Sequence, residues 1–131
     1  MNREAIKQMF GGRCAYCGVV LNDKWHVDHV EPVGRQGGWV PSSGARPGHY
    51  RFTGKCLNPE NEREGNYFPA CPPCNINKAD LPLEDWRTYL AERIVATLRR
   101  RSAHFRHAER FTRVKVNEEP LLFWFERYRI A

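Results

Sequence analysis

The sequence predicts a small α+β fold in which a four-cysteine zinc site staples a core of strands and a helix, with further helices at the N-terminal and C-terminal ends. Two Cys-x-x-Cys pairs, Cys14/Cys17 and Cys71/Cys74, are separated by 53 residues, which is more than a simple zinc finger contains. An alternating, β-rich stretch at 25–30 predicts a strand inside this gap. Apolar residues at helical spacing follow the second pair, so helices are expected to complete the chain.

The composition is typical of a globular protein with a polyanionic partner. The 131 residues are 41% hydrophobic and 27% charged, with a formal net charge of +6, and this basic excess favours nucleic acid. The length suits one domain, 1–131, with a motif core at about 13–80 and a helical, aromatic extension at 81–131. The chain has no apolar run of about 20 residues and no signal-peptide pattern, so we expect a cytoplasmic protein without a membrane partner.

The cysteines predict a structural zinc ion rather than disulfides. Five cysteines are an odd number, and thiols remain reduced in the cytoplasm. Each Cys-x-x-Cys pair lies in a turn-rich stretch that suits a zinc knuckle. Two redox dithiols, or cysteines that merely pack in the core, are the alternatives. Cys56 is left over and is expected to be a partly buried free thiol.

The elements before and between the cysteine pairs follow from spacing and turn residues. A helix is predicted over 2–10, followed by Gly11 and Gly12. The region 34–65 contains seven of the ten glycines and is predicted to be a long irregular loop with a functional role. A second helix is expected to begin at about 71–74, because the two prolines there fit only the first turn of a helix.

The C-terminal third is predicted to be mainly helical and partly buried. Its apolar stripe at helical spacing, which is expected to face the core, comprises Leu83, Trp86, Leu90, Ile94 and Leu98. Residues 111–116 have a β-like composition. The aromatic segment 121–128 fits either a strand or a helix and is expected to lie in the core.

Five polar residues and one proline occur in a fixed order around the cysteine pairs. In chain order they are Asp28, His29, Pro32, Asn66, Asn75 and Lys78. With the cysteines, this order resembles the HNH endonuclease family, whose pattern is CxxC, DH followed by a proline, N, and CxxC-[H/N]-xx-K. The resemblance covers about 13–80. It implies a ββα-metal core, in which two strands and a helix hold one divalent ion beside the structural zinc.

The resemblance also implies a role for each matching residue. His29 would be the general base, Asp28 and Asn75 would hold the catalytic ion, and Asn66 would brace the loop and orient His29. Many family members have histidine where Asn75 stands, and an amide oxygen beside a carboxylate favours Mg²⁺ or Mn²⁺ over zinc. Neighbours on a regular strand point to opposite faces, so Asp28 and His29 share one site only if the strand ends or twists there. His26 and His49 are expected to have no role, and an extra metal ligand is the alternative for His49.

The expected function is a metal-dependent endonuclease that nicks or cuts DNA, with double-stranded DNA as partner and a homodimer or larger complex as an option. Basic residues expected to contact nucleic acid are Lys78, Arg35, Arg99, Arg100 and Arg101. A solvated helix face is the alternative for the arginine run, and a solvated lysine without a role is the alternative for Lys78. RNA is an alternative substrate. A non-catalytic zinc-stabilised nucleic-acid-binding or adaptor subunit of a larger phage-packaging or restriction machine is the alternative function.

Overall fold

The computed structural model describes residues 1–130, with the side chains at positions 35, 38, 50, 52–55, 129 and 130 outside the description. The helices are α1 (Arg3–Gln8), α2 (Pro72–Lys78), α3 (Leu83–Thr88), α4 (Ile94–Arg101), α5 (Ala103–Arg110) and α6 (Trp124–Ile130). The strands are β1 (His26–His29), β2 (Arg35–Val40), β3 (His49–Cys56) and β4 (Tyr67–Ala70). This mixture of helix and strand confirms the predicted α+β class. No helix in the described part is long and apolar enough to cross a membrane.

The strands form two separate antiparallel pairs. β1 pairs with β4, in a register that runs from His26 opposite Ala70 to His29 opposite Tyr67. β2 pairs with β3 to form a hairpin between β1 and β4 in the sequence. Helix α2 begins almost directly after β4 and contacts β1. The β1–β4 pair and α2 therefore lie together, beside the second cysteine pair.

The segment 34–65 is not the irregular loop that its glycines predict. It contains the β2–β3 hairpin and a 3₁₀ turn at Pro59–Asn61. The antiparallel ladder satisfies backbone N–H and C=O groups that an irregular loop would leave to water. The glycines inside β2 conceal the alternating pattern of a strand. Gly48 has a steric role, since a Cβ atom there would lie 2.6 Å from the ring of Trp39.

The predicted N-terminal helix and the helix after the second cysteine pair are both present. Asn2 caps α1 by accepting a hydrogen bond from the amide of Ala5 at 3.1 Å. Pro72 and Pro73 occupy the first turn of α2, where no intrahelical donor is required of them. Local turn chemistry therefore places the start of both helices.

The apolar stripe after Pro82 is core only in its first half. Trp86 is buried and Leu90 packs partly against the core, but Leu98 is 39% exposed. A π-helical turn at Tyr89–Arg93 joins α3 to α4, and α4 then packs against α5. The helix therefore extends beyond the core, which helical spacing alone does not reveal.

The β-like stretch 111–116 forms no strand, so that prediction is wrong. Helix α5 ends at Arg110, and Thr112 has a left-handed φ of 58°. The amide of Arg113 then donates to the carbonyl of Ala108 at 2.7 Å. This turn satisfies carbonyl groups at the end of the helix and directs the chain away from extended structure.

The aromatic segment 121–128 lies in the core, as predicted, and its last part is helical. Phe123 and Phe125 are buried, and α6 begins at Trp124. The amides of Trp124 and Phe125 donate to the carbonyls of Tyr16 and Ala15, at 3.0 and 2.8 Å. The C-terminal segment therefore packs directly on the first cysteine knuckle. The aromatic core comprises Phe10, Tyr16, Phe68, Trp86, Phe123 and Phe125.

Candidate metal centre and active site

The four predicted zinc ligands converge on one point. The sulfurs of Cys14, Cys17, Cys71 and Cys74 all lie within 4.8 Å of one another, and Cys17 Sγ is 3.7 Å from Cys71 Sγ. A tetrahedral zinc ion with bonds of about 2.3 Å would hold its sulfurs about 3.8 Å apart. The four cysteines are therefore placed to hold a metal ion and fit a structural zinc. Cys56 lies outside the cluster as a half-buried free thiol, as predicted.

Interactions between the thiols favour ionisation of one of them. The Cys74 thiol donates a hydrogen bond that lowers the pKa of Cys14 to about 4, and the same bond raises the pKa of Cys74. Burial raises the pKa of Cys17 to about 11. Zinc binds thiolates, so an ion entering this cluster would displace protons from Cys17 and Cys74.

Asp28 lies in a buried network on the face of β1 that meets α2. The Tyr16 hydroxyl donates to Asp28 Oδ2, and Lys78 Nζ lies 3.3 Å from the same oxygen. Lys78 also donates to the carbonyl of His29 at 2.9 Å. Burial raises the pKa of Asp28, against the opposing effects of Lys78 and Tyr16. The carboxylate is thus already held by two side chains.

The predicted phosphate contact of Lys78 is wrong, because its side chain is fully buried. Lys78 lies one helical turn after Asn75, on the side of α2 that faces β1. Its ammonium group compensates the buried Asp28 carboxylate instead of reaching the surface.

Replacing Lys78 by methionine is expected to lower the free energy of unfolding by about 3–5 kcal/mol, because it leaves the buried Asp28 carboxyl group without its cationic partner. Urea unfolding of the zinc-loaded protein would measure the change. The exposed Lys24 provides the control, and Lys24→Met should change stability by less than about 0.5 kcal/mol. A Lys78→Met protein as stable as wild type would show that the pair contributes nothing.

Asn75 contacts a histidine to which the sequence assigned no role. Its Nδ2 lies 2.8 Å from Nδ1 of His26, so the amide can donate to the ring nitrogen. His26 is two residues before Asp28 on β1, and alternate residues of a strand share a face. That two-residue offset is the signal by which the sequence could have placed His26 beside the site.

His29 lies on the opposite face of β1, next to a carboxylate. Its Nε2 is 2.9 Å from Glu62 Oε2, and the Tyr67 hydroxyl donates to Glu62 Oε1. The His29 and Tyr67 rings are 5.4 Å apart. A quarter of the His29 side chain is exposed, so solvent reaches it. Glu62 was missed, because no fixed spacing links it to His29 across the inserted hairpin.

Asn66 is buried and braces the chain after β1. Its Oδ1 accepts a hydrogen bond from the Glu31 amide at 2.9 Å, and its Nδ2 donates to the carbonyls of Glu31 and Asn61, each at 2.8 Å. These contacts join the end of β1 to the 3₁₀ turn that precedes Glu62. Asn66 therefore holds the loop, while its effect on His29 stays a prediction.

The predicted site residues thus fall into three groups. Asp28, Asn75 and Lys78 lie where β1 meets α2, His29 lies on the other face of β1, and the side chain of Arg35 lies outside the described residues. The arginine run occupies the last turn of α4.

No family model matches the chain, and neither a curated protein nor a solved structure matches it. The chemistry of the site must therefore be inferred from its own residues.

Proposed function

We propose that this chain is a metal-dependent endonuclease that hydrolyses phosphodiester bonds of DNA, with β1, β4 and α2 forming a ββα-metal unit of the HNH type. The observation that carries the proposal is the solvent-accessible His29, which is paired with Glu62 and is the last residue of β1, while the neighbouring Asp28 faces α2. Because β1 ends at His29, the substrate would lie across this end of the strand and contact both faces. Hydrolysis of an anionic phosphodiester requires a base and a metal ion. This small unit would supply both, with His29 as the base and Asp28 as a ligand for a hard metal ion beside the zinc-stapled helix.

His29 would take a proton from the attacking water. If Nε2 donates its hydrogen to Glu62, the lone pair is on Nδ1, which becomes the proton acceptor. The water oxygen forms a bond to phosphorus as its proton passes to Nδ1, and the bond from phosphorus to the leaving oxygen breaks. Glu62 would then stabilise the imidazolium that results, and Tyr67 would hold Glu62 in place.

Asp28 and Asn75 are proposed to hold the divalent ion. Both described contacts of Asp28 use Oδ2, so Oδ1 is the oxygen proposed to bind the ion. Asn75 uses its amide nitrogen towards His26, which leaves the amide oxygen as a ligand. One carboxylate and one amide oxygen favour Mg²⁺ or Mn²⁺. Such an ion, when bound, would neutralise charge on the phosphate and on the leaving oxygen.

Cleavage of supercoiled plasmid by the zinc-loaded protein tests the proposal. We expect nicked circles to accumulate when Mg²⁺ or Mn²⁺ is added, and none without an added divalent ion. Asp28→Asn should lower the rate, while His49→Ala, a change on β3 away from the paired β1–β4 unit, should not. Binding of plasmid without cleavage under all conditions would favour the non-catalytic subunit, and cleavage of RNA alone would change the substrate.

Replacing Glu62 by glutamine is expected to lower the cleavage rate by roughly 10- to 100-fold, less than the loss of His29 itself, because the amide cannot stabilise a positive imidazole. Cleavage rates at saturating plasmid would measure the effect. The neighbouring, exposed Glu64→Gln has the same change of charge and should cleave at the wild-type rate. Equal losses in both variants would indicate a general effect of charge and not a specific role for Glu62.

A further inference from the structure

Nearly all of the chain's net charge lies in one short region. Residues 99–115 hold seven basic side chains and one acidic side chain, which equals the +6 of the whole protein. Residues 1–98, which contain both cysteine pairs, β1 and α2, hold twelve basic and eleven acidic side chains. The proposed cleavage unit is therefore close to neutral and gains little from electrostatic attraction to a polyanion.

Two arginines of this region are hydrogen-bonded within it and fix its shape. Arg99 forms two hydrogen bonds to the Glu109 carboxylate, each at 2.8 Å, which joins α4 to α5. Arg106 donates to the carbonyls of Arg99 and Arg100, at 2.8 and 3.2 Å, at the end of α4. Ser102 caps α5 by accepting from the amide of Phe105. These contacts hold α4 and α5 together as a helical hairpin, which is distinct from the β2–β3 hairpin.

Several other basic side chains point outward from this hairpin. Those that are exposed and make no ion pair within the described part of the chain are Arg100, Arg101, Arg110, Arg113 and Lys115. The turn after α5 is itself fixed, since the Arg113 amide donates to the carbonyl of Ala108. The single acidic residue of the region is already paired with Arg99. Glu118, just after the region, interacts electrostatically with Arg99. The outward-pointing cations are therefore held on an ordered scaffold without an ion-pair partner among the described contacts.

We propose that the basic hairpin, residues 99–115, is a second nucleic-acid contact surface that binds the phosphate backbone of duplex DNA apart from the cleavage site. The assignment of DNA as the bound polyanion rests on the proposed function. Four of its five outward-pointing basic residues are arginines, whose planar guanidinium groups match phosphate oxygens in pairs. Contacts to the backbone supply affinity without sequence preference. The hairpin would therefore hold the substrate that the nearly neutral unit cuts.

The test is duplex binding by a protein that cannot cleave. In a zinc-loaded His29→Ala background without Mg²⁺, fluorescence anisotropy would measure affinity for a short labelled DNA duplex over a range of salt concentrations. The hairpin variant carries R100Q, R101Q and R113Q. The matched control carries K7Q, K24Q and R46Q, which removes the same charge from outside the hairpin.

We expect the hairpin variant to bind roughly tenfold or more weakly, and its plot of log affinity against log salt to be shallower by about 0.9 for each phosphate that it no longer neutralises. The control should change less than about twofold. The charge-retaining variant with R100K, R101K and R113K should keep most of the affinity, and urea unfolding should show that all variants fold as wild type does.

Three results would overturn the inference: equal weakening in both triple variants, wild-type affinity in the hairpin variant, or no duplex binding by the parent protein at low salt. The last would make an acidic protein the next partner to test. If the hairpin variant binds as wild type while the native protein cleaves plasmid, only the hairpin inference fails. If binding depends on the hairpin but the native protein never cleaves, only the endonuclease fails.

Discussion

Replacing His29 by alanine is expected to reduce plasmid nicking in Mg²⁺ by about 10²- to 10⁴-fold, the usual contribution of a positioned general base. The His29 ring is both solvent-accessible and held by a carboxylate, as a general base requires. Without it, water must lose its proton to solvent, while the proposed metal ligands remain. Single-turnover rates at saturating protein would measure the loss directly.

The control for the His29→Ala variant is a measurement of its folding. His29→Ala leaves the four cysteines and the aromatic core untouched, so its zinc content and urea midpoint should remain close to those of wild type. Its affinity for duplex DNA should also persist, because the base does not hold the substrate. Cleavage at the wild-type rate by a properly folded His29→Ala protein would remove His29 from the mechanism.

Loss of the metal from the four-cysteine cluster is expected to unfold most of the chain. Zinc contributes about 10–16 kcal/mol to the folding of small zinc-binding peptides, which is as large as the whole stability of a typical domain. Here it would join the turn at Cys14–Cys17 to the start of α2. Purified protein should contain one zinc per chain, and Cys74→Ser should lose both the ion and the cooperative thermal transition.

Cys56→Ser is the matched control, because it removes the remaining thiol outside the cluster. It should keep the zinc, the melting temperature and the circular dichroism spectrum of wild type. Stripping the ion with a chelator should reproduce the effect of Cys74→Ser, and restoring zinc should reverse it. If the metal-free wild-type protein melts at the same temperature, the aromatic core is sufficient to stabilise the fold without zinc.

The elements that the sequence predicted are those fixed by local chemistry. The cysteine spacing predicted the cluster, and the two prolines placed the start of α2. The β2–β3 hairpin was missed because its glycines carry no side-chain pattern, and its stability comes from pairing across the turn. Helical spacing predicts that the whole stripe up to Leu98 lies in the core, because spacing identifies a helix face but not what covers it.

The candidate site was predictable in its residue types but not in its pairings. The two-residue period of a strand predicts that Asp28 and His29 point to opposite faces, and they do face different partners. Lys78 was expected at the surface, because nothing local reveals that a buried carboxylate faces it. Glu62 reaches His29 through the β1–β4 pairing and the Asn66 hydrogen bonds, and such long-range contacts leave no trace in a single sequence.

The hydrogen bonds from Trp124 and Phe125 to the first knuckle set an order of assembly during synthesis. Both cysteine pairs have been translated by residue 74, so zinc can close its site while the remainder is still on the ribosome. The aromatic side chains made earlier become covered only when Phe123 and Phe125 pack on them; they are Phe10, Tyr16 and Phe68. A chain arrested after residue 120 would therefore hold the metal but leave these aromatic side chains exposed to aggregation, and residues 121–128 are the segment that covers them.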